Sequence, residues 1–333
     1  MTIEKILQRI DALLKKANYE TLVLGNFTIS KSKFCFDLLA KKDDLLFSVK
    51  IFPNIDNLNQ DIVHDIKSLS LILKSKPLLI GIRNRYQKLE DNTIYVREGL
   101  PFITINTFEN ILNEQYPHVL ARRGGGVIFL NGSLMKLLRE KQLITRKELS
   151  EFLGVTKRTI CSYENESMRP SEKIAEKIAE ILENNGFFKK INVFEWGIKK
   201  DIEEKEFAEE KELTEFEYHV QDIIKDIGLS SYWYKKGSFP FKLSLYSHSN
   251  KIMLDGFYPL FSGISEEQSK INEMSFQCLK MFTDLFHKTS LFIIDNDIKI
   301  PETFKKANIP IVKIKNLEKV DDEEEFIELI QES

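Results

Sequence analysis

ITRKELSEFLGVTKRTICSYENESMRP, residues 144–170, decides how this chain is read. Thr145 supplies an N-cap oxygen, and Leu149 and Phe152 follow at helical spacing until Gly154 breaks the helix. Val155 packs behind the turn, and Thr156 caps a second helix that runs to Asn165. The apolar side of that helix is Ile160 and Tyr163, which leaves Lys157, Arg158, Thr159 and Ser162 to face outward. Two short helices joined by a glycine turn make a helix-turn-helix. In such a unit the second helix enters the major groove of DNA with its N-terminal residues on base edges, and the first crosses the phosphate backbone.

The candidate contacts follow from that geometry. Arg146 and Lys147 open the first helix and are placed to touch phosphates, while Thr156, Lys157, Arg158, Thr159 and Ser162 are the candidates for groove contact. Lys and Arg pair with guanine O6 and N7, each good pair discriminating by roughly 1–3 kcal/mol. Glu148, Glu151, Glu164 and Glu166 interrupt the cations, so the basicity is a stripe and not a cloud. Glu164 suits tethering of neighbouring backbone or of a basic side chain better than reading cytosine. The competing use of such a bundle is protein contact.

Composition narrows the classes. With 333 residues there is room for two or three domains with substantial cores. Lys and Arg number 48 against 51 Asp and Glu, a net charge of −3, so DNA affinity has to come from a local patch. Cys35, Cys161 and Cys278 are far apart and form no CxxC pair, which excludes a disulfide framework and a zinc ribbon. The five histidines lack ligand spacing, and Gly124–Gly126 is not followed by the Lys-Ser or Lys-Thr of a phosphate loop. No metal and no cofactor is expected. The N-terminal MTIEKILQRIDALLKKAN is amphipathic without an apolar signal core, and no later apolar run spans a bilayer, so a soluble cytoplasmic chain without a membrane partner is expected.

On either side of the helix-turn-helix the element order repeats. Ahead of it, helix 3–17, strands 21–29, 33–40 and 45–52, helix 56–74, strands 77–82 and 100–106 and helix 107–112 are predicted, with a turn at KKDD. Behind it, IDALLKK at 10–16 finds a counterpart in VQDIIKD at 220–226. FDLLAKKDDLLFSVKIF at 36–52 aligns without a gap on FKLSLYSHSNKIMLDGF at 241–257. PLLIGI matches SLFIID at 290–295, and LPFITINTFENIL matches IPIVKIKNLEKVD at 309–321. The expected organisation is an N-terminal α/β lobe at 1–120, the helix-turn-helix domain at 127–198 and a C-terminal lobe at 212–333 that duplicates the first. ARRGGG at 121–126 reads as a cationic hinge, with phosphate contacts from Arg122 and Arg123 as its other use, and KKDIEEKEFAEEKEL at 199–213 reads as a helix start or solvated spacer. SYWYKKGSFPF at 231–241 suits an ordinary core strand better than a ligand-stacking surface.

The helix-turn-helix resembles the lambda repressor/Cro-like family in Leu149-Ser150, Gly154, Val155-Thr156, Ile160, Glu164 and Pro170-Ser171. Arg146 departs from that family's frequent glutamine after the first cap, which takes away a base contact there. A wider resemblance, carried by FPNID, PLLIGIRN, GLPFITINTFE and RRGGG, is to a group of archaeal proteins described as transcriptional regulators. The lobes resemble the restriction-endonuclease-like fold, whose nucleases hold metal through an Asp on one strand and an acid–x–Lys on the next. Asp37 and Lys50 stand at those places, but Ser48 occupies the position of the second carboxylate, and a hydroxyl does not replace that charge. In the rear lobe the ungapped alignment puts Lys242, Met253 and Asp255 there. Glu4 and Asp11 are the remaining acids that could contribute.

The expectation is an α+β multidomain chain with two similar, catalytically silent lobes flanking a central all-α domain. It would be a sequence-specific double-stranded DNA-binding transcriptional regulator, acting as a homodimer on a two-fold site and not as an enzyme. The alternative is a metal-dependent nuclease targeted by the helix-turn-helix and using the N-terminal lobe.

Overall fold

The first helix, α1 (Ile3–Lys16), starts where the Thr2 side chain accepts the Lys5 N–H. The computed structural model describes residues 2–24, 35–43, 45–73, 75–196, 213–234, 241–247, 258, 260–267, 273–286, 289–300 and 309–332. Helix α1 buries Ile6, Leu7, Ile10 and Leu14, the face its spacing predicts. Strands β1 (Glu20–Val23), β2 (Leu38–Lys42) and β3 (Leu45–Asn54) run antiparallel, with Leu38 opposite Val49 and Lys42 opposite Leu45. The intervening turn puts Asp43 at φ +51°, a conformation that Asp tolerates. Helix α2 (Gln60–Ile72) and β4 (Lys76–Arg83) follow as expected.

The strand that follows β4 escapes prediction. Strand β5 (Thr93–Arg97) is antiparallel to β6 (Leu100–Ile103), and β6 is parallel to β4. The strand expected to run to residue 106 stops early because Thr104 caps α3 (Ile105–Leu112) by accepting the Thr107 N–H. The ARRGGG run is not a hinge. Strands β7 (Val119–Arg122) and β8 (Gly125–Ile128) pair antiparallel across it, and β7 lies parallel to β5.

Helices α4 (Gly132–Lys141), α5 (Arg146–Leu153), α6 (Lys157–Glu164) and α7 (Glu172–Ile181) form the helix-turn-helix domain. Met135, Leu149, Leu153, Ile160, Tyr163, Ala175 and Ile178 share its core with Val119 and Ile128 of the adjoining hairpin and with Leu130 just after it. Leu153, not Phe152, takes the inward position at the end of α5, and Phe152 is 65% exposed.

The rear segment has α8 (Glu215–Asp226), β9 (Ser230–Trp233), β10 (Leu243–Tyr246), β11 (Leu260–Ser265), α9 (Glu273–Phe286), β12 (Ser290–Ile294), β13 (Ile311–Lys313), α10 (Ile314–Leu317) and α11 (Glu323–Glu332). Its sheet order is β13-β12-β11-β10-β9, antiparallel through β9–β11 and parallel through β11–β13. Helix, three antiparallel strands, helix, strand is the order of the front segment as well. The register, however, corrects the ungapped alignment. Leu243 stands opposite Ser262 as Leu38 stands opposite Val49, so the strand that matches β3 is residues 260–265 and the rear hairpin is longer. Residues 250–257, aligned on β3 by sequence, lie outside the described residues, as does the acidic run before Leu213. Tyr232, Trp233, Tyr234 and Phe241 are buried, which makes the aromatic cluster core and not a ligand surface.

By internal contacts the chain forms two units. One consists of residues 51–58 and 78–198 and contains the helix-turn-helix; the other draws on 2–50, 59–77 and 199–333. In the second unit the Tyr232 hydroxyl donates to Asp65 Oδ1 at 3.0 Å, both residues being buried. No helix among the described residues is long and apolar enough to cross a membrane.

Candidate nucleic-acid interface

Local chemistry fixes each end of the two interface helices. At the start of α5 the Thr145 hydroxyl accepts the Glu148 N–H, and Glu148 Oε2 accepts the Thr145 N–H at 2.7 Å. This reciprocal pair satisfies two donors that a helix start leaves open. The Thr145 N–H, then its hydroxyl, hold the Glu148 carboxyl below the usual carboxylate range. Gly154 ends α5 at φ +67°, where any other residue would be strained. Thr156 then opens α6 by accepting the Thr159 N–H at 3.1 Å.

The division of α6 follows the sequence reading. Ile160 and Tyr163 are buried, Thr159 and Ser162 are half-buried, and Thr156, Lys157 and Arg158 are exposed. Neither the Lys157 nor the Arg158 side chain has an ion-pair or hydrogen-bond partner among the described residues. Two unpaired cations at an exposed helix N-terminus are what groove contact needs. Lys147 is exposed too, with Glu151 at 3.9 Å. Arg146 is placed differently, because its Nε donates to Glu164 Oε2 at 2.6 Å.

Glu164 is the residue that sets the position of α6. Its side chain is 1% exposed, and its other oxygen accepts from Arg139 Nε at 2.6 Å. Arg139, which sequence reasoning passed over, also donates to the Ile144 carbonyl at 2.7 Å. One carboxylate therefore ties α4, the start of α5 and the end of α6 together. A buried charge is stable only when paired in this way. The tethering role expected for Glu164 is the role it has. Backbone contact adds to the tie: a Cβ on Gly132 would lie 2.1 Å from the Glu164 carbonyl oxygen, so only glycine lets α4 approach that closely. Glu166 accepts the Gly132 N–H at 3.1 Å and pairs with Lys189. The Lys189 ammonium, then the Gly132 N–H, keep its carboxyl below the usual range.

The nuclease-type positions assemble poorly. Asp37 and Lys50 do meet, Lys50 Nζ donating to Asp37 Oδ1 at 2.8 Å, so the lysine neutralises the carboxylate at the first metal-ligand position. Ser48 is buried and its hydroxyl has no hydrogen-bond partner among the described residues. Cys35 lies in the same neighbourhood, its thiol pushed up by burial and then by the Asp65 charge. Asp11 is held by Thr21 and Lys15, and Glu4 is exposed in the first turn of α1. At the matching rear positions the register gives Phe261 for Ser48 and Gly263 for Lys50, and a Cβ on Gly263 would lie 2.2 Å from the Phe292 ring. No cluster of three or more metal-ligating side chains occurs among the described residues. These residues do not fit a catalytic divalent metal.

Comparison with known proteins accords with both parts. Residues 3–117 match the model of the PD-(D/E)XK superfamily domain, and residues 135–185 match a helix-turn-helix model. A protein of Methanocaldococcus jannaschii, named "Putative HTH-type transcriptional regulatory protein", is 31% identical over 314 residues, 94% of this chain and 94% of its own length. The chain belongs to this family. A like-named protein of Methanococcus maripaludis is 30% identical over 318 residues, 94% of this chain and 95% of its own. Another, of Thermococcus kodakarensis, is 27% identical over 331 residues, 99% and 96% respectively. No solved structure matches. Similarity to this archaeal family thus extends across the α+β lobes as well as the helix-turn-helix.

Because Arg139 and Arg146 share Glu164, Glu164→Ala strands a buried guanidinium. It is expected to cost about 3–5 kcal/mol in urea unfolding, and Glu164→Gln, which keeps an acceptor oxygen, less.

Proposed function

We propose that this member of the archaeal regulator family is a sequence-specific, double-stranded DNA-binding transcriptional regulator that inserts α6 into the major groove. The observation that carries the reading is the exposed, unpartnered pair Lys157 and Arg158 at the start of a helix whose opposite face is locked by Glu164. Arg and Lys there reach base edges, with Thr156, Thr159 and Ser162 beside them, and Lys147 reaches the phosphate backbone. Arg146, spent on Glu164, serves chiefly to hold α5 against α6. The names of the relatives accord with regulation, and the chain would act in the cytoplasm.

One such module contacts too few base pairs for high specificity, so the chain would act as a homodimer with half-sites about one helical turn apart. Leu137, Leu143 and Phe152 are 58%, 88% and 65% exposed on α4, the turn after it and α5, large apolar groups that a dimer contact would cover. The lobes serve as scaffold and not as nuclease, since Lys50 occupies Asp37 and Ser48 supplies no charge.

The Lys157→Ala/Arg158→Ala chain is expected to lose binding to a duplex selected from a random pool by the parent protein, with an unchanged thermal melt. Retained affinity for that duplex would end the reading. Incubated with supercoiled DNA and Mg²⁺ or Mn²⁺, the parent chain is expected to leave it intact; cleavage that disappears in Asp37→Ala would instead establish the nuclease. Sedimentation is expected to show a dimer that Leu143→Asp/Phe152→Asp shifts toward monomer, and a monomeric parent bound singly to DNA would remove the two-fold model.

A further inference from the structure

We infer that the β7–β8 hairpin is a wing of the DNA-binding surface, whose tip residues Arg122 and Arg123 hold phosphates of the duplex that α6 enters. This rests on the reading of α6 given above.

The tip is built to project. Arg122 pairs with Gly125 at the last rung, and Gly124 and Gly125 turn the chain at φ +92° and +132°, conformations that favour glycine. A Cβ at either glycine would meet nothing within 4 Å, so the turn stands in open space. Arg122 and Arg123 are exposed, and neither side chain has a partner among the described residues.

The base of the hairpin is fixed to the segment that follows α6. Val127 bridges Ser171, and the Ile128 N–H donates to the Pro170 carbonyl at 3.1 Å. Gly126 lets the strand come close: a Cβ there would lie 2.5 Å from Val119 Cγ1 and 3.0 Å from Glu172 Oε2. Farther along, the Lys189 N–H donates to the Phe129 carbonyl and the Asn131 N–H to the Phe187 carbonyl, each at 2.7 Å. The base of the hairpin is therefore fixed to the same domain that carries α6.

Charge selects the partner. Arg169, on the loop joining α6 to α7, stacks over the Phe129 ring at 3.8 Å and adds a third exposed cation beside the hairpin. Arg97, at the same end of the parallel strand β5, is by contrast occupied by Asp56 at 2.7 Å. The nearby acids include Glu172, which is partly buried and whose carboxyl is pushed up by burial and then by the charges of Glu176 and Glu90. Free guanidinium forks at the end of a rigid ribbon match phosphate oxygens in geometry and charge. In a chain of net charge −3, such cations matter through where they stand and not through their number.

Fluorescence anisotropy of the full chain on a mixed-sequence 30-base-pair duplex, titrated across salt concentration, tests the wing. Each phosphate contact contributes about 0.9 to the slope of log affinity against log salt, so Arg122→Ala/Arg123→Ala is expected to weaken binding and flatten the slope by about 1.8. Arg122→Lys/Arg123→Lys is expected to restore most of the slope. Unchanged affinity and slope in the alanine pair, with binding lost in Lys157→Ala/Arg158→Ala, would overturn the wing and leave the reading of α6 standing. If Lys157→Ala/Arg158→Ala keeps the parent's affinity for the duplex selected by the parent protein, the α6 reading falls and takes the wing with it.

Discussion

Glu164 is the constraint on which the DNA-facing geometry depends. A carboxylate removed from water is tolerated only when its charge and its lone pairs are met, and here two guanidiniums meet them from two other helices. The consequence reaches beyond stability. Because Arg139 comes from α4 and Arg146 from α5, the end of α6 cannot shift without breaking an ion pair in a dry site. The orientation of Lys157 and Arg158 is thereby inherited from one buried and one partly buried salt bridge to Glu164, at the other end of their own helix. Gly132 completes the clamp by letting the α4 backbone touch the α6 backbone, a contact that any side chain would prevent.

The parts legible in the sequence are those governed by local rules. Thr145 with Glu148, Gly154, and Thr156 with its own first turn mark helix ends by short-range hydrogen bonding and backbone conformation, and all of them stand where the spacing put them. The buried strand at 76–83 and the amphipathic α1 were legible for the same reason. Failures came where a distant partner decides. Phe152 and Leu153 are equally apolar, and only the packing of the domain chooses Leu153 for the core. ARRGGG has the composition of a hinge, but the strand pairing of residues 119–122 with 125–128 and their attachment to residues 170–171 make it a ribbon. Arg146 was readable as a cation at a helix start; that it is consumed by a glutamate 18 residues later was not.

The lobes show the same limit from another side. Most of their element order was recoverable, since helix and strand periods are local, whereas the strand at Thr93–Arg97 and the strand register were not. An ungapped match of residues 36–52 with 241–257 reproduces the alternation of apolar residues but misplaces the second strand, because the rear hairpin is longer by a stretch that alternation alone cannot detect. Correcting the register strengthens the chemical conclusion. Gly263 sits where Lys50 sits in the front, in a space that the Phe292 ring closes to any side chain. In the front lobe, where residues 3–117 match the PD-(D/E)XK superfamily domain, Asp37 is paired with Lys50, and at the corresponding rear positions packing replaces charge.

What a nearly neutral chain requires for a polyanionic partner is separation of its charges. Acidic residues outnumber basic ones by three, so the whole molecule offers duplex DNA no attraction at long range. The cations that remain unpaired have to be gathered on one domain and kept from the acids. In this structure the arginines nearest an acid are spent internally: Arg139 and Arg146 on Glu164, Arg97 on Asp56. Those at the start of α6 and at the tip of the β7–β8 hairpin are held out on helix and ribbon ends, exposed and unpaired among the described residues. Rigid support is therefore an electrostatic device as well as a mechanical one, because a flexible arm carrying the same arginines would fold back onto the surplus of carboxylates.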